Sequence, residues 1–435
     1  MKLVIIAGGR GIRLGFSSIP KSMVLVDGKP TLQYQIELAK RYGITDIYIL
    51  IGFLAQVVID YFGNGERFGV KINYIIEQKP LGTAGSVRQL EGIIKEKFIV
   101  FYGDTILDIN LKKMILVDLN FSNHIATLFV HPNDHPYDSD LIEVDDVGQI
   151  IAFHSKPHPK NKYFNNLVNA ALYIFSSEIF KYIKENENSD FGKDIFPLLI
   201  QKNKKIKIYK SAEYIKDIGT PERLKEVSID VKSGKIFKLN KEFKRKAIFL
   251  DRDGVINEEG KVVSTPEEFK LLRDIPKSIR KINKSEYLAI IITNQPGIAK
   301  GFHSFNSLNN IHRKMEHLLG KDGAYVDGIY FCPHHPEKGF VGEINELKIN
   351  CDCRKPNVGM IKKAVTDFNI DLRNSYFLGD TTRDIQTAKN SGIKSVLLKT
   401  GYAGLDNKFD IKPDYEFDSL DKAINFILEK SYDNK

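Results

Sequence analysis

Unbroken apolar runs alternate along this chain with amphipathic stretches, and most of the runs end in glycine or acid. Lys2–Ala7, Asp46–Leu50, Lys71–Ile76, Phe98–Tyr102 and His124–Val130 read as strands, and Thr31–Tyr42 carries a helical period. In the second half, Ala247–Leu250 has no polar alternation, as a strand buried on both faces would read. Tyr287–Ile292 repeats that pattern, and Phe377–Leu378 opens a third strand capped by acids. Strand and helix alternating in both halves predict an α/β protein with two Rossmann-like, doubly wound sheets. At 435 residues the chain is too long for one ordinary core. The expected division is a first domain over 1–228, a lysine-rich linker without clear period over 229–245, and a second domain over 246–435.

Composition narrows the function classes. Apolar residues make up 42% and charged residues 27%, and no run approaches the ~18 apolar residues of a membrane span. The N-terminal apolar run enters a glycine loop directly, without a signal-peptide cleavage site, so a cytoplasmic location is expected. The net charge of +9 comes from scattered lysines with no aromatic-studded basic stripe. That fits phosphorylated small-molecule substrates better than nucleic acid or a membrane surface. Oligomerisation is left open.

The second half carries the densest chemistry. Strand Ala247–Leu250 ends in Asp251 and Asp253, with Gly254 next, at the sheet edge where ligands bind. Two acids so close raise one another's pKa unless a cation lies between them, which points to Mg²⁺. Asp251 then suits attack on phosphorus and Asp253 protonation of the leaving oxygen. Thr293, Asn294 and Gln295 end the next strand with groups that hydrogen-bond a phosphoryl oxygen. Arg354 and Lys355 offer cations, Asp380 is expected to hold the Mg²⁺ with Asp251 and Asp253, and Asp384 is a further acid. All three cysteines of the chain lie in Cys332-Pro-His334-His335 and Cys351-Asp-Cys353, the ligand set of a closed, structural Zn²⁺ site. His334 is the ligand by spacing.

The first half opens with Gly8-Gly9-Arg10-Gly11-Ile12-Arg13 after its first strand, spaced as neither a dinucleotide fingerprint nor a P-loop. Backbone N–H groups of Gly8, Gly9 and Gly11 suit phosphate oxygens, with Arg13 and Lys21 neutralising charge. Gln78, in a second glycine loop ending Leu81-Gly82-Thr83-Ala84-Gly85, can both donate to and accept from a base edge. Asp104 and Asp217 place carboxylates at two further strand ends.

In this order, the glycine loop, Pro20-Lys21, Leu81-Gly82-Thr83-Ala84, Gly103-Asp104 and Asp217-Ile-Gly-Thr-Pro resemble the sugar-1-phosphate nucleotidyltransferases over about 220 residues. The resemblance implies that Gln78 and Gly82 meet the base and that Asp104 and Asp217 hold Mg²⁺. It also implies that Lys156 and Asn169 bind the sugar phosphate. Ile12, Ser155 and Ala171 depart from the family's usual Thr, Glu and Gly. The second half resembles the haloacid-dehalogenase-like phosphatases through Asp251, Thr293, Lys355 and Asp380. Its cysteine loop and Cys353-Arg-Lys-Pro narrow this to heptose 1,7-bisphosphate 7-phosphatases and histidinol-phosphate phosphatases. Lys300 stands where the former often have Arg.

Together the resemblances imply a bifunctional enzyme of GDP-heptose synthesis. One half would release heptose 1-phosphate and the other, resembling heptose 1-phosphate guanylyltransferases, would consume it. UDP or dTDP products stay open. So does a mannose-1-phosphate guanylyltransferase fused to a broader phosphatase, and so does a nucleotide-sugar sensor regulating a phosphatase.

Overall fold

After Lys2, the strand Lys2–Ile6 has no polar residue, and Leu3, Val4 and Ile5 are fully buried, so it lies mid-sheet with both faces covered. The computed structural model describes residues 1–9, 11, 18–159, 162–260 and 262–433. Asp46–Ile51 and Phe98–Tyr102 flank the first strand in parallel, and Lys71–Ile76 extends the sheet beyond Asp46–Ile51. Hydrophobic clusters built around Leu32 and Ile36 and around Phe175 and Phe196 seal the two faces. Ile6 pairs with Tyr102, so the glycine loop and Asp104 leave the sheet at one carboxyl edge.

The first sheet is not wholly of the doubly wound parallel type. Val168–Phe175 pairs antiparallel with Phe98–Tyr102, and Leu141–Val144 and Ile150–His154 follow as an antiparallel pair. Ala126–His131 and Ile206–Lys210 complete nine strands. The antiparallel neighbours here need no crossover helix, whereas Ile206–Lys210 lies parallel to Ala126–His131 and follows the short helix Phe196–Gln201. A separate ribbon pairs Thr105–Asp108 with Tyr214–Asp217 and sets Asp217 opposite Thr105, one residue from Asp104.

The lysine-rich stretch after residue 228 is partly helical. Thr220 caps a helix with Pro221 at its first position, and that helix runs to Lys232. A one-turn helix, Lys235–Lys238, follows. Asn240 is fully buried and donates to Asp108, which also accepts from Arg41 at 2.7 Å.

Contacts divide the chain into two units. The first comprises Met1–His131, Ser139–Pro157 and Leu167–Asn240. The second comprises Lys241–Lys435 with Pro132–Asp138 and His158–Asn166. The polar loop after His131 therefore groups with the second unit, not with the strand that carries Asn169.

The second unit holds six parallel strands in the order Gly328–Cys332, Tyr287–Asn294, Lys246–Leu250, Tyr376–Gly379, Lys394–Leu398, Tyr415–Phe417. Ala247 to Leu250 are all fully buried, and Leu250 pairs with both Ile291 and Leu378. That register delivers Asp251, Thr293 and Asp380 to one edge. Asn294 pairs with Cys332, which brings the cysteine loop alongside. Among the described residues no helix is long and apolar enough to cross a membrane.

Candidate active sites

Asp251, Asp380 and Asp384 offer carboxylate oxygens within 4.8 Å of one another, an arrangement that could hold a metal ion. Lys355 reaches into the same cluster, 2.7 Å from Asp251 Oδ2 and 2.6 Å from Asp384 Oδ1. Burial raises Asp251 well above the usual carboxylate range, and the charge of Asp384 adds to this while Lys355 opposes it. Burial and Asp384 also push Asp380 up to about 7. Burial works against the charge on Lys355, but Asp251 and Asp384 together hold its pKa above the ordinary lysine value. Three acids facing one ammonium leave excess negative charge, so the donor set fits a hard divalent cation. Asp384, singled out in the sequence only as a further acid, completes the trio. It caps its helix reciprocally with Thr381, and the same carboxylate takes the Lys355 ammonium.

Gly254 follows the two opening acids because nothing larger fits. Its φ is +77°, and a Cβ there would lie 2.3 Å from Asp380 Oδ2. Asp253 lies outside the carboxylate trio, bonded to Arg252, Asn257 and Gln295. Thr293 is buried and its hydroxyl accepts from Gln295 at 2.9 Å. The Asn294 amide clasps the Lys355 backbone through two hydrogen bonds, of 3.0 and 3.2 Å. Asn294 thereby fixes the lysine, a task different from the expected phosphoryl contact. Arg354 donates to the His334 carbonyl at 3.2 Å.

Cys332, His334, Cys351 and Cys353 form the second metal-competent group. Their sulfur–sulfur separations are 3.2 to 3.5 Å, and His334 Nδ1 lies 3.2 Å from Cys353. Those spacings approach the ~3.8 Å edge of a tetrahedron with ~2.3 Å zinc–sulfur bonds. Burial pushes the Cys353 thiol up to about 11, so a cation is what would make these sulfurs thiolates. His335 turns away, edge-on to Phe340 at 6.0 Å.

In the first unit Lys21 forms an ion pair with Asp104. Burial alone would raise the carboxyl of Asp217, yet Arg223, the Gly219 N–H and Lys21 hold it below the usual range. Lys21, Asp104 and Asp217 thus share one corner, and a Cβ on Gly11 would lie 3.2 Å from the Lys21 Cβ. Arg13 lies outside the described residues. Gln78 and Lys156 are exposed. Gly82 opens the helix Gly82–Arg88.

Glu77 was not singled out in the sequence, yet it points into the glycine loop. Its N–H continues the strand by bonding the Ile51 carbonyl at 2.8 Å, and a Cβ on Gly8 would lie 2.8 Å from its Oε2. Gln78, by contrast, lies in a bend beyond the strand Lys71–Ile76. The place of Glu77 directly after that strand was the available signal. Burial raises the Glu77 carboxyl, opposed by the Ser86 hydroxyl. Asn169 donates to the Tyr173 hydroxyl at 3.0 Å, and its buried Oδ1 has no partner among the described residues. Ala171 holds a φ of +57°, which explains why glycine is usual there.

Residues 2–234 match the nucleotidyl transferase family, and residues 352–423 match the HAD-hydrolase-like family. The D-glycero-beta-D-manno-heptose-1,7-bisphosphate 7-phosphatase of Haemophilus ducreyi is 36% identical over 185 residues, 42% of this chain and 98% of the relative. The D-glycero-alpha-D-manno-heptose-1,7-bisphosphate 7-phosphatase of Burkholderia mallei is 40% identical over 155 residues, 36% of this chain and 80% of the relative. The crystal structure of HddC from Yersinia pseudotuberculosis is 27% identical and covers 53% of this chain and 99% of its own, with a TM-score of 0.47.

Proposed function

This chain belongs to the nucleotidyl transferases through its first half and to the heptose-bisphosphate 7-phosphatases through its second, and from that premise we propose that it makes GDP-heptose in two steps. The carrying observation is that one chain holds a phosphatase site and a nucleotidyltransferase site. The product of the first would be the nucleophile of the second.

In the second unit Asp251 attacks the 7-phosphorus, and the bond from phosphorus to the sugar oxygen breaks. Asp253 gives its proton to that oxygen, leaving a phospho-aspartyl group. Water then attacks the phosphorus and loses a proton to Asp253, and the bond to Asp251 breaks to release phosphate. Lys355, held by Asp384 and by the Asn294 clasp, neutralises charge on the transferring group. Mg²⁺ held by Asp251, Asp380 and Asp384 would supply Lewis-acid neutralisation of the phosphoryl oxygens. The four-ligand cysteine and histidine cluster suits Zn²⁺ in a structural role beside Arg354 and Lys355.

In the first unit the sugar 1-phosphate oxygen attacks the α-phosphorus of the nucleotide and pyrophosphate leaves. Gly8, Gly9 and Gly11 cradle phosphates, Lys21 and Arg13 neutralise the leaving charge, and Lys156 and Asn169 hold the sugar phosphate. Asp104 and Asp217 fit a second Mg²⁺. Glu77 supports GTP, because a carboxylate offers two acceptors to the adjacent N1–H and N2–H donors of guanine, and no other common base presents that pair. Such an enzyme works where nucleoside triphosphates are made, in the cytoplasm.

Purified protein with either anomer of heptose 1,7-bisphosphate and each nucleoside triphosphate should release phosphate, then pyrophosphate with GTP alone. Turnover of mannose 1-phosphate but not heptose 1-phosphate would end the heptose reading. Unchanged pyrophosphate release by Asp104→Asn would remove the first-unit assignment.

A further inference from the structure

Between the two opening acids of the second unit stands Arg252, a residue the reaction scheme above does not use. Its side chain is 1% exposed, among the most deeply buried large side chains of the molecule. A buried guanidinium cannot lose its proton and must be paired. The partner here is Asp253, the acid of the proposed reaction. Arg252 Nε donates to Asp253 Oδ1 at 3.2 Å, and Nη2 donates to Oδ1 at 2.7 Å and Oδ2 at 3.0 Å. Asn257 Nδ2 adds a third nitrogen on Oδ1 at 2.9 Å, and Gln295 Nε2 donates to Oδ2 at 2.8 Å.

The two oxygens of Asp253 are therefore unequal. Oδ1 accepts from three nitrogens and has no lone pair left for chemistry. Oδ2 accepts from only two, Nη2 at 3.0 Å and Gln295 at 2.8 Å, which makes it the less crowded oxygen and the one that can take a proton at the cost of a single hydrogen bond. The bidentate fork also fixes the carboxyl plane, as a single ammonium would not. The guanidinium Nη1 finds no partner among the described residues, and neither do His303 Nδ1, His303 Nε2 or His312 Nε2.

We propose that Arg252 is a positioning residue that orients Asp253, with Asn257 as its helper, so that Oδ2 alone exchanges a proton with the leaving sugar oxygen and then with water. This rests on the phospho-aspartyl reading above.

The test uses two esters and the full-length protein. An alkyl phosphate such as heptose 1,7-bisphosphate needs its leaving oxygen protonated, whereas p-nitrophenyl phosphate has a leaving group stable as an anion. The ratio kcat/KM reports formation of the phospho-aspartyl group for both. Arg252→Lys and Asn257→Ala should lower kcat/KM for the heptose ester by about 100-fold and about 10-fold, no more than the whole of what general acid catalysis supplies. Both should slow p-nitrophenyl phosphate by less than about fivefold. Asp253→Asn should show the same selectivity, and Arg252→Gln should be worse than Arg252→Lys. Equal losses on both esters in the Arg252 and Asn257 variants, or no loss on either, would overturn the assignment. A selective Asp253→Asn with unselective Arg252 and Asn257 variants would overturn this inference alone. An unselective Asp253→Asn would overturn the acid role of Asp253 and this inference with it. Asn257→Ala leaves no buried charge unpaired, so it keeps the test decisive should the Arg252 variants fold poorly.

Discussion

In the second unit the side chains of Lys355 and Asp384 are 2% and 0% exposed and meet at 2.6 Å, whereas Lys21 and Asp104 in the first are 13% and 30% exposed. The phosphatase centre is an interior cluster in which protein charges face one another at low dielectric. The proposed nucleotidyltransferase centre is more open. The phosphoryl group to be cleaved is a single dianion, so the protein must assemble the field around it beforehand. A triphosphate brings more charge to its site, so fewer buried protein charges are needed. Neutralisation is built in on one side and completed by substrate on the other.

The hardest break in that contrast is at the nucleophile. Asp251→Asn should lower phosphate release by at least about 10³-fold while pyrophosphate release stays within about twofold. Two assays on one preparation check this, and joint loss would show that the centres are not separate.

Removing each lysine comes next. Lys355→Met strands buried Asp251 and Asp384 and should cost up to about 3–5 kcal/mol in stability as well as activity. Lys21→Met should cost about 0–1 kcal/mol yet lower nucleotidyl transfer about 10²-fold. Urea melts paired with rates separate the two, and equal destabilisation would erase the distinction.

A smaller effect belongs to the cysteine cluster. Chelation or Cys351→Ser should abolish bound zinc and loosen the second unit while leaving nucleotidyl transfer in place. Metal analysis finding no zinc in active protein would contradict the site.

The mildest contrast is with acid. Burial holds His312, in the second unit, down to about 3, with Arg252 adding to the effect. Its folded pKa lies below the unfolded value of about 6.5, so its stabilising contribution is full above that pH and declines as pH falls toward 3. In the first unit, burial would raise Asp118, but His124, Lys97 and Thr127 hold it below the usual range. Its contribution is lost only below about pH 4. Thermal melts of the full chain as pH falls below about 6.5 should therefore show the second unit losing less stability with acid in His312→Gln than in the unsubstituted protein.

Much of this was legible in the chain. Unalternated apolar runs marked the buried strands to within a few residues, and acids placed just after them reached the same sheet edge. The cysteine spacing named a four-residue cluster that the fold brings together. Less legible were features set by long-range pairing. Val168–Phe175 reads as a strand only once its antiparallel partner is present, and the left-handed backbone at Ala171 goes with the register shift in its pairing with Ala126–His131. Glu77 reads in the sequence only as the residue before Gln78, and its contact with the glycine loop depends on where the strand Lys71–Ile76 ends. Asn294 looked like a phosphoryl contact because a strand-end amide suits one, but the close passage of Lys355 claims both its ends.

The position of Asn240 matters to anyone wishing to obtain the halves apart. Arg41 and Asn240 both bond Asp108, whose side chain is 5% exposed, so the helices after Pro221 are a strap holding the first unit shut from behind. Scissors applied at residue 228 would discard that strap and leave a carboxylate wedged in the interior with one companion. A cut just past Asn240 keeps it, and the severed piece should then survive by itself.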